Sequence, residues 1–284
     1  MAWLQVDFYS NVLQQPVPLQ ILIPADYADP KQEKKWKTLY LLHGYFGNCS
    51  DWLLSGDAAA VSQEYDLCLV MPSGNNDFYV DAPCGARDNS RFLAEELVGF
   101  TRRLLPLSDR REDTLLGGLS MGGFGTLYNC FAHSDVFGHG IALSSALILE
   151  EEGLSRVTDD PSPMGVTRGY YRDVFGEDLS ALPDSELNPR NTAAAMVREG
   201  RPFPDLYIAC GRNDMLKYPN RALCRSLDAL GVPYTYEEGP GTHEWFFWKP
   251  YLRRGLDHAL GGPHPSFPNP FWVDDEKEGE DAWR

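Results

Sequence analysis

Three residues set far apart in the chain, Ser120, Asp214 and His243, are of the types that together carry out nucleophilic acyl transfer. A serine hydroxyl is a weak nucleophile until a base removes its proton, and an imidazole serves as that base when a carboxylate orients it. Ser120 sits in Gly118-Leu119-Ser120-Met121-Gly122, inside the stretch GGLSMGGFG at 117–125. Glycine is poor in both strands and helices, so a cluster of it around one serine marks a backbone shape that side chains would obstruct. The G-x-S-x-G pattern belongs to a sharp strand-to-helix turn that pushes the hydroxyl into a pocket. A glycine-rich loop without chemistry can read the same way, so the partners have to decide.

In such a site the acid and then the histidine follow the serine, each in a loop after a late strand. Asp214 follows the apolar run 206–210 through Gly211-Arg212-Asn213, and His243 stands in Gly239-Pro240-Gly241-Thr242-His243-Glu244-Trp245 after the run 234–237. Order and placement are both met. Glu244 adjoins the histidine, but its side chain would diverge from the imidazole, and Asp205 lies at the wrong end of its strand. Asp214 is therefore the acid. The negative oxygen of a tetrahedral intermediate needs backbone N–H donors. Met121, next to the serine at a helix start, supplies one. The loop His43-Gly44-Tyr45-Phe46-Gly47 supplies the other, at Tyr45 with Phe46 as second choice, while His43 supports the loop.

The elements that must position these residues can be read from periodicity. Residues 3–9 and 17–23 alternate apolar and polar, which predicts an antiparallel pair at a sheet edge. Residues 38–42 and 67–71 are short continuous apolar runs, the pattern of central parallel strands covered on both faces. A helix is predicted over 90–105, a strand over 114–119, the helix after the serine over 121–132, and strands over 140–144 and 206–210. A helix over 219–230, a strand over 234–237 and a closing helix over 243–260 complete the series. Strands alternating with helices imply a mostly parallel sheet. Eight strands with the nucleophile turn after the fifth describe an α/β-hydrolase fold, with helices on both faces of the sheet. Between 147 and 190 the pattern weakens into prolines, glycines and paired aromatics, read as a lid-like insertion. The hydrolase domain is thus 1–260, and 261–284 is a proline-rich acidic tail.

The net charge of −16 leaves no basic stripe for phosphates, which argues against nucleic acid. No apolar run is long enough for a membrane span, and the start MAWLQVDFYSNVL does not read as a secretory signal. The six cysteines form no C-x-x-C pair, so a reduced, cytoplasmic protein is expected. No ligand set suggests a metal, and no phosphate-cradling loop suggests a cofactor. The expected partner is a small-molecule ester, and homo-oligomerisation is left open.

Several stretches carry a wider resemblance: Leu41-Leu42-His43-Gly44-Tyr45-Phe46-Gly47-Asn48 with Asp51-Trp52, the helix start 94–97, the serine turn, and Gly241-Thr242-His243-Glu244-Trp245. Together they resemble the esterase D-like family of the α/β-hydrolase fold over roughly residues 1–260, closest to bacterial tributyrin esterases and acetylesterases and to related feruloyl esterases. The resemblance implies the same triad, Ser120, Asp214 and His243, and the same donors at Tyr45 and Met121. It further implies hydrolysis of acetyl to butyryl esters, including those of carbohydrates. An acyltransferase or an S-formylglutathione hydrolase-like thioesterase is the rival reading, and a catalytically dead binding module is disfavoured by the complete triad. Trp52, Phe78, Tyr79, Tyr170, Tyr171 and Trp245 are the aromatics expected near the substrate pocket. The insertion and the tail match least.

Overall fold

The computed structural model describes residues 1–24, 35–83, 87–162 and 166–263. Cys84, Met164 and nearly all of the 261–284 tail lie outside them. Eight strands form one sheet: β1 (Ala2–Ser10), β2 (Gln15–Ile23), β3 (Thr38–Leu42), β4 (Cys68–Pro72), β5 (Thr114–Leu119), β6 (His139–Leu143), β7 (Asp205–Gly211) and β8 (Thr235–Gly239). Their spatial order is β1-β2-β4-β3-β5-β6-β7-β8. β1 pairs antiparallel with β2, β2 antiparallel with β4, and every other pair is parallel. This is the α/β-hydrolase architecture.

The continuous apolar runs serve two cores at once. Successive side chains of a strand point to opposite faces. Leu39 and Leu41 of β3, Leu115 and Leu119 of β5, and Ile141 and Leu143 of β6 therefore join one core, beneath the helices Ala58–Tyr65 and Trp245–Leu260. Tyr40, Leu42, Leu116 and Ala142 join the other, beneath the helix Met121–Ala132.

The sequence-derived elements shift by no more than two residues at their ends. The closing helix starts at Trp245, which leaves His243 in the turn before it. The helix expected over 90–105 occupies 89–104 but carries a π-helical stretch, Phe92–Leu97, between two α-helical ends. That stretch turns Glu96 toward the β1–β2 turn, where its carboxylate accepts the Asn11 N–H at 2.8 Å and the Ser10 hydroxyl. Beyond it, Phe100 stacks on Phe8 (centroids 4.4 Å apart) and Thr101 meets the buried Tyr40 hydroxyl at 2.7 Å. Periodicity gave no sign of the helices Asp51–Ser55 and Ala58–Tyr65.

The 147–190 insertion is more ordered than its composition suggests. It holds the helices Glu151–Leu154 and Arg168–Phe175, a 3₁₀ turn Leu179–Asp184 and the start of the helix Pro189–Arg198. Tyr171, Val174, Phe175 and Leu182 are buried in the core under the helix Met121–Ala132. Its two ends meet: Arg190 pairs with Glu150 at 3.2 Å, and the Asn188 amide donates to the same carboxylate at 3.0 Å. Asn188 also caps the last helix by accepting the Arg190 N–H.

Candidate active site

Ser120 occupies the turn between β5 and the helix Met121–Ala132 with φ +54° and ψ −115°. Such a backbone is unfavourable for any residue but glycine and persists where its surroundings over-determine it. Three main-chain bonds do so. The Ser120 N–H donates to Leu143 O at 2.9 Å, while its carbonyl accepts the N–H groups of Phe124 (3.0 Å) and Ala146 (2.9 Å). Gly122 lets the helix press against the end of β3, since a Cβ there would lie 2.4 Å from Leu42 O. The oxyanion-loop candidate is drawn in as well: a Cβ at Gly44 would sit 3.5 Å from that of Ser120.

The two later turns are stitched to each other. Arg212 N–H donates to Gly239 O at 2.8 Å and Asn213 N–H to Gly241 O at 3.1 Å. Gly211 is required at this crossing, where a Cβ would meet Gly241 O at 2.6 Å. The crossing places His243 between its two partners. Its Nε2 lies 2.9 Å from Ser120 Oγ and its Nδ1 3.0 Å from Asp214 Oδ2. An ionised carboxylate only accepts, so Nδ1–H donates to Asp214 and Nε2 is left to accept the serine proton.

The Asp214 side chain is fully buried, and its second oxygen accepts the Leu216 N–H at 2.8 Å. Burial alone would raise its pKa, but hydrogen bonds from His243, the Leu216 N–H and the Ser144 hydroxyl outweigh that and hold it below the usual carboxylate range. The rejected acids are engaged elsewhere. Glu244 accepts the Thr242 hydroxyl at 2.8 Å, and Asp205 binds His139 and His258 at the opposite end of β7.

Met121 opens its helix, so its N–H has no intrahelical partner. Among the described residues neither that N–H nor the one of Tyr45 meets an acceptor, whereas Phe46 N–H is taken by Asn76 Oδ1 at 2.9 Å. Tyr45 is thus the loop donor still free to face an oxyanion. His43 is buried, donates from Nδ1 to Gly44 O at 2.7 Å and accepts the Gly74 N–H at Nε2. Burial lowers its pKa, and as a neutral ring it supports the loop. Among the described residues no group of three or more His, Cys, Asp or Glu could hold a metal ion.

The family described as Putative esterase matches residues 10–259. The chain belongs to that esterase family. An acetyl esterase of Caldicellulosiruptor saccharolyticus is 37% identical over 262 residues, which cover 90% of this chain and 97% of the relative. Two Staphylococcus aureus structures are similar at 25% identity over 91% of this chain and 98% of theirs. They are the fluorophosphonate-binding serine hydrolase FphF (TM-score 0.80) and the S-formylglutathione hydrolase FrmB (TM-score 0.78). This esterase is a carboxylic ester hydrolase.

The aromatics expected at the esterase's pocket separate into two groups. Trp52 is 1% exposed, its ring faces Trp245 and its indole N–H donates to Leu42 O at 2.9 Å, so it has no face open to a ligand. Trp245 packs on that same core, and Phe78 and Tyr79 are buried on the other side of the sheet. Trp52, Phe78 and Tyr79 are therefore packing residues, and Trp245 is partly buried against the first of the two cores. Tyr170 stands against the loop 43–47, the candidate oxyanion loop, with its ring 5.5 Å from that of Tyr45 and its hydroxyl on Asn76 O. Tyr171, mostly buried, backs it at 6.0 Å. Sequence reasoning missed Asn76, Ser144 and Trp248. Trp248 had one signal, its i+3 spacing from Trp245 on the same helix.

Proposed function

We propose that the protein is a serine carboxylesterase that removes short acyl groups, acetyl to butyryl, through an acyl-Ser120 intermediate. The observation that carries the proposal is the continuous line from Asp214 through His243 to Ser120, beside two free backbone N–H groups. His243 Nε2 takes the proton as Ser120 Oγ attacks the ester carbonyl. The N–H groups of Tyr45 and Met121 receive the developing oxyanion. As the tetrahedral centre collapses, His243 returns the proton to the leaving alcohol. A water molecule then repeats the sequence on the acyl-enzyme and frees the acid. Asp214 stays ionised throughout, holding the tautomer and stabilising the imidazolium.

The 37%-identical acetyl esterase and the rings of Tyr45, Tyr170 and Tyr171 around the oxyanion loop support short-chain selectivity. Each methylene that fits contributes about 0.8 kcal/mol of burial, and each that must push into packed rings costs about 1–3 kcal/mol. A maximum at short chain length follows. The described cysteines are all free and buried, and they fit the proposed cytoplasmic location.

The test is a nitrophenyl ester series from two to eight carbons, run beside labelling with an alkyl fluorophosphonate. kcat/KM should peak at four carbons or fewer. Ser120→Ala should label with nothing and lose about six decades of rate. Activity of that variant within tenfold of the parent would remove Ser120 as nucleophile. A constant still climbing at eight carbons would remove the short-chain reading. Acetylated sugars, feruloyl esters and S-formylglutathione in the same panel rank the natural leaving groups.

A further inference from the structure

Three indole rings run behind the site in a nearly orthogonal series. Trp52, from the short helix after the oxyanion loop, meets Trp245 at 5.1 Å and 89°. Trp245 meets Trp248, one turn along the closing helix, at 5.3 Å and 86°. Trp248 meets the His243 imidazole at 5.0 Å and 89°. Both ends of the series are pinned. The Trp52 N–H donates to Leu42 O, the last residue of β3 before the oxyanion loop. The Trp248 N–H donates at 3.1 Å to Ser144 Oγ. Ser144 is itself fixed: it is fully buried, its φ is +47°, and its N–H donates to Ala209 O of β7 at 2.7 Å.

The two hydrogen bonds of His243 leave its ring one freedom. They join opposite nitrogens, so the imidazole can still rock about the line between them. Its N–H and lone pair lie in the ring plane and diverge from that line, so rocking swings both off their partners. A third contact is needed to stop it, and Trp248 provides one against the ring. We infer that Trp248, pinned by Ser144 and backed by Trp245 and Trp52, is a positioning residue that fixes the tilt of His243 and ties it to the base of the oxyanion loop. This rests on the reading of Ser120 and His243 as nucleophile and base. The hydroxyl of Ser144 also lowers the proton affinity of Asp214, so one serine steadies both supports of the imidazole.

The experiment compares kcat and KM for nitrophenyl acetate in Trp248→Leu, Trp248→Phe, Ser144→Ala and the Ser144→Ala/Trp248→Phe double variant. Misplacing a reacting group by about 1 Å costs about 100-fold. Trp248→Leu should therefore lower kcat by about 30- to 100-fold with KM within about twofold of the parent. Trp248→Phe keeps a ring against His243 and should recover most of the loss, leaving a deficit of about fivefold. Because Trp248→Phe and Ser144→Ala cut the same bond, adding the first to the second should change kcat no further. A Trp248→Leu enzyme within about twofold of the parent kcat, or a double variant whose losses multiply, would overturn the brace. If Trp248→Leu does not fold, the Phe and Ala pair decides the matter alone. Ser120→Ala in the same assay separates the two ideas, since an inactive Ser120→Ala beside an unaffected Trp248→Leu rejects only the brace.

Discussion

Around Ser120 the turns are joined through main-chain atoms, whereas the 147–190 insertion is held by its side chains. The serine turn bonds to β6 and to the residues just after it, and the acid turn to the histidine turn, all through backbone N–H and C=O groups. The insertion is clasped by Glu150 with Arg190, by the Asn188 cap, and by Arg87, which reaches Asp77 and the Asp173 carbonyl. Main-chain bonds survive most substitutions, while a side-chain clasp is lost with one. The first arrangement preserves a chemistry through sequence change, and the second lets the wall of the site vary at little cost to the sheet.

The sharpest way to break that contrast is Asp214→Asn, a side-chain change that leaves the stitched backbone intact. The amide presents a donor to Nδ1 and favours the wrong tautomer, so kcat should fall by about four decades with the fold unchanged. The same variant carries a pH signature. A carboxylate held below its unfolded value stabilises the fold above the ordinary carboxylate range, near pH 4, and that contribution fades as pH falls through the lowered native value. The Tm advantage of the parent over Asp214→Asn should therefore shrink from pH 7 to pH 3. A neutral effect on kcat would mean that another group orients His243.

On the insertion side, Tyr170→Ala removes the ring that stands against Tyr45. The ratio of octanoyl to acetyl kcat/KM should rise by about tenfold, since each admitted methylene contributes about 0.8 kcal/mol, with acetyl turnover within a few-fold of the parent. An unchanged ratio would place the acyl chain elsewhere. The smallest effect is expected at Asn188→Ala. Losing that cap should cost about 1 kcal/mol in denaturant unfolding and leave kcat unaltered. A matching fall in kcat would show that the clasp reaches the chemistry and would erase the contrast.

That Ser120, Asp214 and His243 come together was legible because the proposed chemistry demands residue types in a fixed chain order beside strands that read plainly as apolar runs. The pocket was not, because an aromatic near a motif in sequence says nothing about which face of the sheet receives it. Trp52 lies five residues beyond Gly47, the end of the candidate oxyanion loop, and still ends in the opposite core. The insertion was underestimated for a related reason. Tyr170, Tyr171, Val174 and Phe175 make one helical face, but eight residues give too short a period to stand out from their glycine- and proline-rich flanks.

The π-helical stretch at Phe92–Leu97 makes the length of one helix as consequential as its composition. Removing a residue there would let the helix wind regularly, yet every position after it would turn by about 100° around the axis. Phe100 would leave the ring of Phe8, and Thr101 would leave the buried hydroxyl of Tyr40. The unevenness of this helix keeps two contacts in register, one with the edge of the sheet and one with its centre.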